Sequence, residues 1–380
     1  MKQGLRVMDS DIHVLEPSGF WAEYLDPRFK DRAPKAGGPG SVVLELEGKA
    51  IPAFLDRPER QRAWRLRMRR ALAQGATNEQ LKAAIERRIG GTHPEDMLSA
   101  MDAEGIDLAI VFRTLAAHVS TVDGLEPAFA AALCRAFNRW LCDFCKTDPQ
   151  RLKLGALIPL QDADYAVQEA RFAVHELGAV TLVLPSQPIN GKAVYERSFD
   201  PLWATAQELD VAIAFHGIHV GYNDHLGKRY LDNLVLGHAV GQPVELILAL
   251  GSVLTGGILS RFPKLRAAFH EGGCSWLPWW LWALDERWEK WADRELFEQE
   301  EKPSELFLRQ CFVSVDPRER LAAHVVSELG DDNLVLSTDW PHDDSTYPHA
   351  IDTFLSHEGL SAESKRKILW DNCARLYQLG

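Results

Sequence analysis

From about residue 94 the hydrophobic pattern of this chain settles into two alternating rhythms. One is a short apolar run that stops abruptly at a polar residue, as in Val211-Ala-Ile-Ala-Phe-His216 and Leu265-Arg-Ala-Ala-Phe-His270. Such runs, bounded by polar or glycine residues, read as buried strands of a parallel sheet. The other is a longer segment with apolar residues at helical spacing, expected over 95–104, 127–147, 163–177, 201–209, 244–262, 276–298, 317–329 and 365–377. Helix and strand alternating in this way predict parallel βαβ units. The strands end near residues 13, 113, 160, 185, 216, 270, 315 and 339. That is the count a closed (β/α)8 TIM barrel needs. One barrel domain over residues 1–380 is therefore expected, with no internal repeat and no low-complexity linker.

The segment from about 14 to 100 breaks the rhythm. It holds a Gly/Pro loop over 34–40, a hairpin strand over 42–46 and an arginine-dense helical stretch from Asp56 to Ala73. It is expected to be a large insertion after the first strand, on the face where a barrel's βα loops lie. The arginines between 57 and 70 read as a solvated helix face paired with acids. Recruitment of an anionic substrate is the sharper alternative.

Composition narrows the function. The 380 residues are 46% hydrophobic, enough for a substantial core, and the formal net charge is −12. That balance disfavours nucleic acid and anionic membrane surfaces as partners. Asp9 and Asp11 precede any apolar stretch, so no signal peptide is expected. No apolar run is expected to span a membrane, since Leu246–Leu250 is cut by Gly251 and the tryptophan-rich run after Ser275 by Asp285. The six cysteines are scattered, which predicts buried thiols in a reducing, cytoplasmic compartment. Cys142 and Cys145 lack the second pair that would complete a zinc site and read as core. The cluster of Trp279, Trp280, Trp282, Trp288 and Trp291 reads as a buried helix face or a subunit contact.

Candidate chemistry lies at the strand ends, where such a barrel keeps its active site. Asp11 and His13 are two apart, so a strand presents both on one side. His216, His270 and Asp339 end three further strands. Imidazole and carboxylate together suit zinc, manganese or iron(II), with one position open for water or substrate. Arg113 ends the second strand and is a candidate for a bidentate contact to a substrate carboxylate, with a helix-facing salt bridge the equal alternative. Trp21 and Trp340 are candidates for stacking on a planar substrate, with core packing the competing role. His342 is expected to orient its neighbour Asp339. His219 and His238 lie in the long connection after Gly217.

Three stretches carry a resemblance: Asp9-Ser-Asp-Ile-His-Val-Leu-Glu-Pro17; Arg261-Phe-Pro-Lys-Leu-Arg266 leading into Phe269-His-Glu-Gly-Gly-Cys-Ser-Trp-Leu-Pro278; and Leu336-Ser-Thr-Asp-Trp-Pro-His342. Together they resemble the amidohydrolase superfamily, in the branch of aminocarboxymuconate-semialdehyde decarboxylase and γ-resorcylate decarboxylase. The resemblance implies Asp11, His13, His216 and Asp339 as metal ligands, with His270 an uncoordinated catalytic histidine beside the metal. Two departures matter. The first ligand is often His or Glu in this branch, and Asp11 has a shorter reach. The strand over 179–185 lacks the lysine that bridges two metals in binuclear members. A single divalent ion is therefore expected, zinc or alternatively manganese. A homodimer and a small carboxylate substrate are implied too.

The expected reaction is metal-dependent decarboxylation of a small carboxylated aromatic or unsaturated acid. Asp339 or His270 would supply the proton that replaces the departing CO2, the other holding the substrate. The alternative is hydrolysis of a lactone, an amide or a C–C bond by a metal-activated water. Asp339 would then be the base, and His270 would polarise the carbonyl.

Overall fold

The computed structural model describes residues 1–17, 19–36, 44–51, 91–217, 234–294 and 299–380, with isolated positions 66, 69 and 73. Strand β1 (Met8–His13) comes first. Three short antiparallel strands follow, β2 (Lys35–Ala36), β3 (Leu44–Leu46) and β4 (Lys49–Ile51), in a sheet of their own. The remaining strands are β5 (Leu108–Phe112), β6 (Leu152–Leu157), β7 (Thr181–Pro185), β8 (Ala212–His216), β9 (Ala267–His270), β10 (Cys311–Val315) and β11 (Leu334–Leu336). They join β1 in an eight-stranded sheet of order β1-β5-β6-β7-β8-β9-β10-β11. Its strand pairs run parallel, with helices between them. The sheet curls until its two ends meet. His13 N–H donates to Trp340 O at 2.7 Å, and Asp339 N–H donates to Asp11 O at 3.3 Å. This is the (β/α)8 barrel that the strand count predicts.

Alternation along each strand sorts the core into two layers. Ile110, Phe112, Val183, Ala212, Ala214, Ala268, Phe312 and Val335 form one buried cluster inside the barrel. Their neighbours Val111, Ile213, Phe215, Phe269, Val313 and Leu336 pack outward with the helices. Large Phe112 and Phe312 share this interior with the small Ala212, Ala214 and Ala268. Gly155 on β6 follows the same logic: a Cβ there would meet Val111 O at 3.0 Å and Val183 Cγ2 at 3.2 Å. The last helix, Asn372–Tyr377, contributes Cys373, Leu376 and Tyr377 to the interior cluster. It packs beside Leu108 and Val180, at the end where the strands begin.

Strand β1 departs from simple alternation. Met8 belongs to the interior cluster and Ile12 to the outer layer, although an even spacing should put both on one face. The register against β5 shifts between Asp9 and Ile12. This bulge re-aims the strand, so that Asp11 and His13 both turn inward.

Other segments differ from expectation. The helix expected over 244–262 is instead Leu234–Thr255, followed by Ile258–Arg261. At 22 residues the first of these is long and apolar enough, by length and composition, to cross a bilayer, against the sequence reading. It packs on β8 and β9, with Leu246, Ala249, Leu250, Val253 and Leu254 buried. Helix Leu277–Trp291 buries Leu277, Leu281 and Ala283 and turns Trp279, Trp282 and Trp291 to solvent. Its tryptophans are therefore not one buried face. The six cysteines are free and buried. Of the region over 14–100, helix Phe20–Tyr24 packs on helix Pro127–Cys145, and Leu44, Leu46 and Ile51 join the outer core. The arginines at 57, 60, 62, 65, 67 and 70 lie outside the described residues, as do His219 and His225.

Candidate active site

At the C-terminal ends of β1, β8, β9 and β11 the ionisable side chains converge. Asp11, His13 and His216 bring ligand atoms within 4.8 Å of one another, and so do His13, Glu271, Asp339 and His342. His13 Nε2 lies 3.3 Å from Asp11 Oδ1 and 3.2 Å from Asp339 Oδ1. His216 Nε2 lies 3.4 Å from Asp11 Oδ2 and 2.9 Å from Glu271 Oε2. The two imidazoles face each other, Nε2 to Nε2, at 3.2 Å.

Backbone carbonyls set these rings. His13 Nδ1 donates to Arg113 O at 2.8 Å, and His216 Nδ1 donates to Gly217 O at 2.5 Å. With Nδ1 holding the proton, each Nε2 presents a lone pair to the centre, the arrangement of a metal-ligating histidine. Asp11 Oδ1 is buried without a hydrogen-bond partner among the described residues. Two inward lone pairs, an unsatisfied carboxylate oxygen and further carboxylates form a mixed nitrogen and oxygen donor set that fits a divalent ion.

Electrostatics agree. Burial opposes ionisation of Asp11, yet His216 and His13 hold its carboxyl well below the usual range. Burial pulls His216 down, but Asp11 and Glu271 carry it up to about 9. In His13 burial prevails, with His342 adding to it, and the ring falls to about 4. Burial and neighbouring Glu271 push Asp339 well above the carboxylate range. Protons thus collect where a cation would sit, and binding an ion would displace them.

His342 lies against Asp339, with Nδ1 2.7 Å from Asp339 Oδ1 and Nε2 3.0 Å from Thr114 Oγ1. Glu16 fixes that threonine's loop, accepting from the backbone N–H of Thr114, Leu115 and Ala116 at 2.8–3.1 Å. Arg113 is buried against the site and donates from Nη2 to His216 O at 3.2 Å. His270 is fully buried, its ring 5.3 Å from that of Phe112, and burial lowers its pKa to about 4.

Two stacking candidates lie elsewhere. Trp21 is in the outer core, its ring 4.1 Å from Phe20. Trp340 lies beside Ile12, Met101 and Tyr347 in the layer outside the barrel, and it is its carbonyl that reaches His13. Core packing is therefore the role observed for both. His238 is partly exposed and lies 3.4 Å from Asp344.

Glu271 was missed. It follows His270, so simple alternation would point it outward. A left-handed backbone (φ 65°) turns it back, and its N–H is tied to Ser314 Oγ at 3.0 Å. Gln242 Nε2 donates to Oε1 at 2.7 Å. Asp339 shares the left-handed conformation (φ 54°). Non-glycine residues held there are strained and cluster at functional sites. The available signal was an acid followed by Gly272-Gly273 at a strand end.

A barrel with imidazoles and carboxylates gathered at its strand ends defines a metal-dependent enzyme fold. Residues 9–379 match the amidohydrolase family model, and the chain belongs to that family. It is 25% identical over 300 residues to a γ-resorcylate decarboxylase from Polaromonas sp., covering 74% of this chain and 86% of that one. A 2-amino-3-carboxymuconate-6-semialdehyde decarboxylase from Dictyostelium discoideum is 26% identical over 217 residues, covering 57% of this chain and 58% of the other. A 5-carboxyvanillate decarboxylase from Novosphingobium aromaticivorans, solved with manganese and 3-methoxy-4-hydroxy-5-nitrobenzoic acid, superposes with a TM-score of 0.72 at 19% identity. It covers 100% of this chain and 98% of its own.

Proposed function

We propose that this protein is a metal-dependent decarboxylase of a small carboxylated aromatic or unsaturated acid, with Asp11, His13, His216 and Asp339 holding one divalent ion. The observation that carries this reading is the inward pair of Nε2 atoms set against Asp11 and Asp339, in a chain whose relatives decarboxylate such acids. When bound, the ion supplies a Lewis acid that polarises substrate oxygens. Zinc and manganese both suit the donor set.

The chain's own groups divide the remaining work. Carbonyls of Arg113 and Gly217 keep His13 and His216 in the ligating tautomer. His342 orients Asp339, and the Arg113 guanidinium offsets part of the charge of three clustered carboxylates. Burial keeps bulk water from His270 and Asp11. The proton that replaces the carboxyl group on the ring carbon comes from Asp339 or His270, both at the site.

The test is CO2 release from 2,6-dihydroxybenzoate and 5-carboxyvanillate by protein loaded with manganese or with zinc. Release from one of them, lost on chelation and restored by metal, is the expected result. Absence of CO2, together with 18O from labelled water appearing in a lactone or amide product, would replace this reading with hydrolysis.

A further inference from the structure

We propose that Tyr377 is a positioning residue that fixes the tautomer of His270, leaving Nδ1 as a hydrogen-bond acceptor toward the reacting molecule. Tyr377 lies outside all three stretches that carry the family resemblance. Its side chain is 4% exposed and belongs to the interior cluster, reaching His270 from the end of the barrel where the strands begin. The hydroxyl sits 2.9 Å from His270 Nε2 and donates to Ser10 O at 3.3 Å.

Proton counting gives the direction of this chain. A phenol has one proton to donate, and a backbone carbonyl can only accept. Both contacts are hydrogen bonds at once only when the Tyr377 proton goes to Ser10 O and His270 Nε2 carries the ring proton. A neutral imidazole has a single N–H, so Nδ1 keeps its lone pair. Nδ1 is buried and has no hydrogen-bond partner among the described residues. Among the described residues, the hydrogen bond of this ring is thus on its Nε2 side. The bulge in β1 matters here, because Ser10 O lies within the register shift between Asp9 and Ile12.

The consequence for chemistry rests on the reading that His270 faces substrate. A neutral His270 in this tautomer accepts a hydrogen bond, for example from a phenolic hydroxyl, and has no proton of its own to deliver through Nδ1. Delivery of the proton to the ring carbon then falls to Asp339.

The test uses zinc-loaded full-length protein labelled with 15N in its histidine rings, with His270→Gln identifying the signals of His270. The expected spectrum shows Nε2 protonated and Nδ1 unprotonated, and in Tyr377→Phe this signature becomes mixed or reversed. On whichever acid releases CO2, Tyr377→Phe should lower kcat roughly 10–100-fold with KM little changed, the range for losing a partner that orients a histidine. A His270 protonated at Nδ1 in the wild type would overturn the proposal. So would ring signals unchanged in Tyr377→Phe. If that variant fails to fold, the wild-type spectrum alone decides. Failure to release CO2 from any acid would count against the decarboxylase reading and leave the tautomer result standing, so the two can fail separately.

Discussion

Replacing His216 with alanine should strip the protein of its divalent ion and lower turnover by about 10³-fold or more. Several kcal/mol of transition-state stabilisation come from a bound metal, and each 1.36 kcal/mol is a factor of ten in rate. His216 is the ligand candidate whose loss is least easily compensated. Its Nε2 is the atom that faces Asp11, Glu271 and His13 together, at 2.9–3.4 Å. The ring is buried and fixed by Gly217 O. Elemental mass spectrometry on the purified variant should find metal well below one ion per chain. A variant that still carries a full complement, or turns over normally, would remove His216 from the ligand set.

Asp9→Ala should cost about 2–4 kcal/mol of stability without removing any proposed ligand. Asp9 is fully buried and ties β1 to the chain beyond β11. It accepts from Thr338 N at 3.1 Å, from Asp11 N at 3.2 Å and from the Thr338 hydroxyl in a short contact. Alanine leaves these donors buried and unpaired, at about 1–3 kcal/mol each. Part of that loss is offset, because burial already penalises the Asp9 carboxylate and pushes its pKa up to about 7. Denaturant midpoints at unchanged slope would measure the difference. Thr338→Val, which removes the hydroxyl donor to Asp9 and keeps the backbone one, should destabilise in the same direction by a smaller amount. A loss under about 0.5 kcal/mol, the usual size of a surface substitution, would mean that the clamp does not hold this edge together.

The barrel was legible because eight strand ends could be counted along the chain, most of them closing short apolar runs, and a parallel sheet buried on both faces demands such runs. Asp11, His13, His216 and Asp339 were singled out as candidates by the same rule, since strand ends are where a barrel collects its polar groups. Glu271 escaped because its inward aim depends on one backbone angle, which period-two reasoning cannot represent. Tyr377 escaped because its partners, His270 and Ser10, are far away in sequence. The inward turn of Asp11 required a bulge that the alternation alone gives no hint of. Trp340 looked like a site residue by adjacency to Asp339, yet the left-handed backbone at Asp339 turns the chain there and the indole packs outside the barrel. The start of helix Leu234–Thr255 was missed because apolar residues there are interrupted by Gly237, Gly241 and Pro243, which read as a loop.

The meeting of β1 with β11 carries a thermodynamic meaning. Strand β11 is short, Leu334–Leu336, and the contacts beyond it are a few individual hydrogen bonds. Asp11 and His13 stand on one side of this join and Asp339 on the other. An ion gripped by all three binds only a chain whose first and last strands are already together. By mass action it then acts as a fastener, adding about 4 kcal/mol to folding when present at a thousand times its Kd. Depletion of the ion would do more than idle the enzyme, because the join that it fastens is also where the barrel would begin to open.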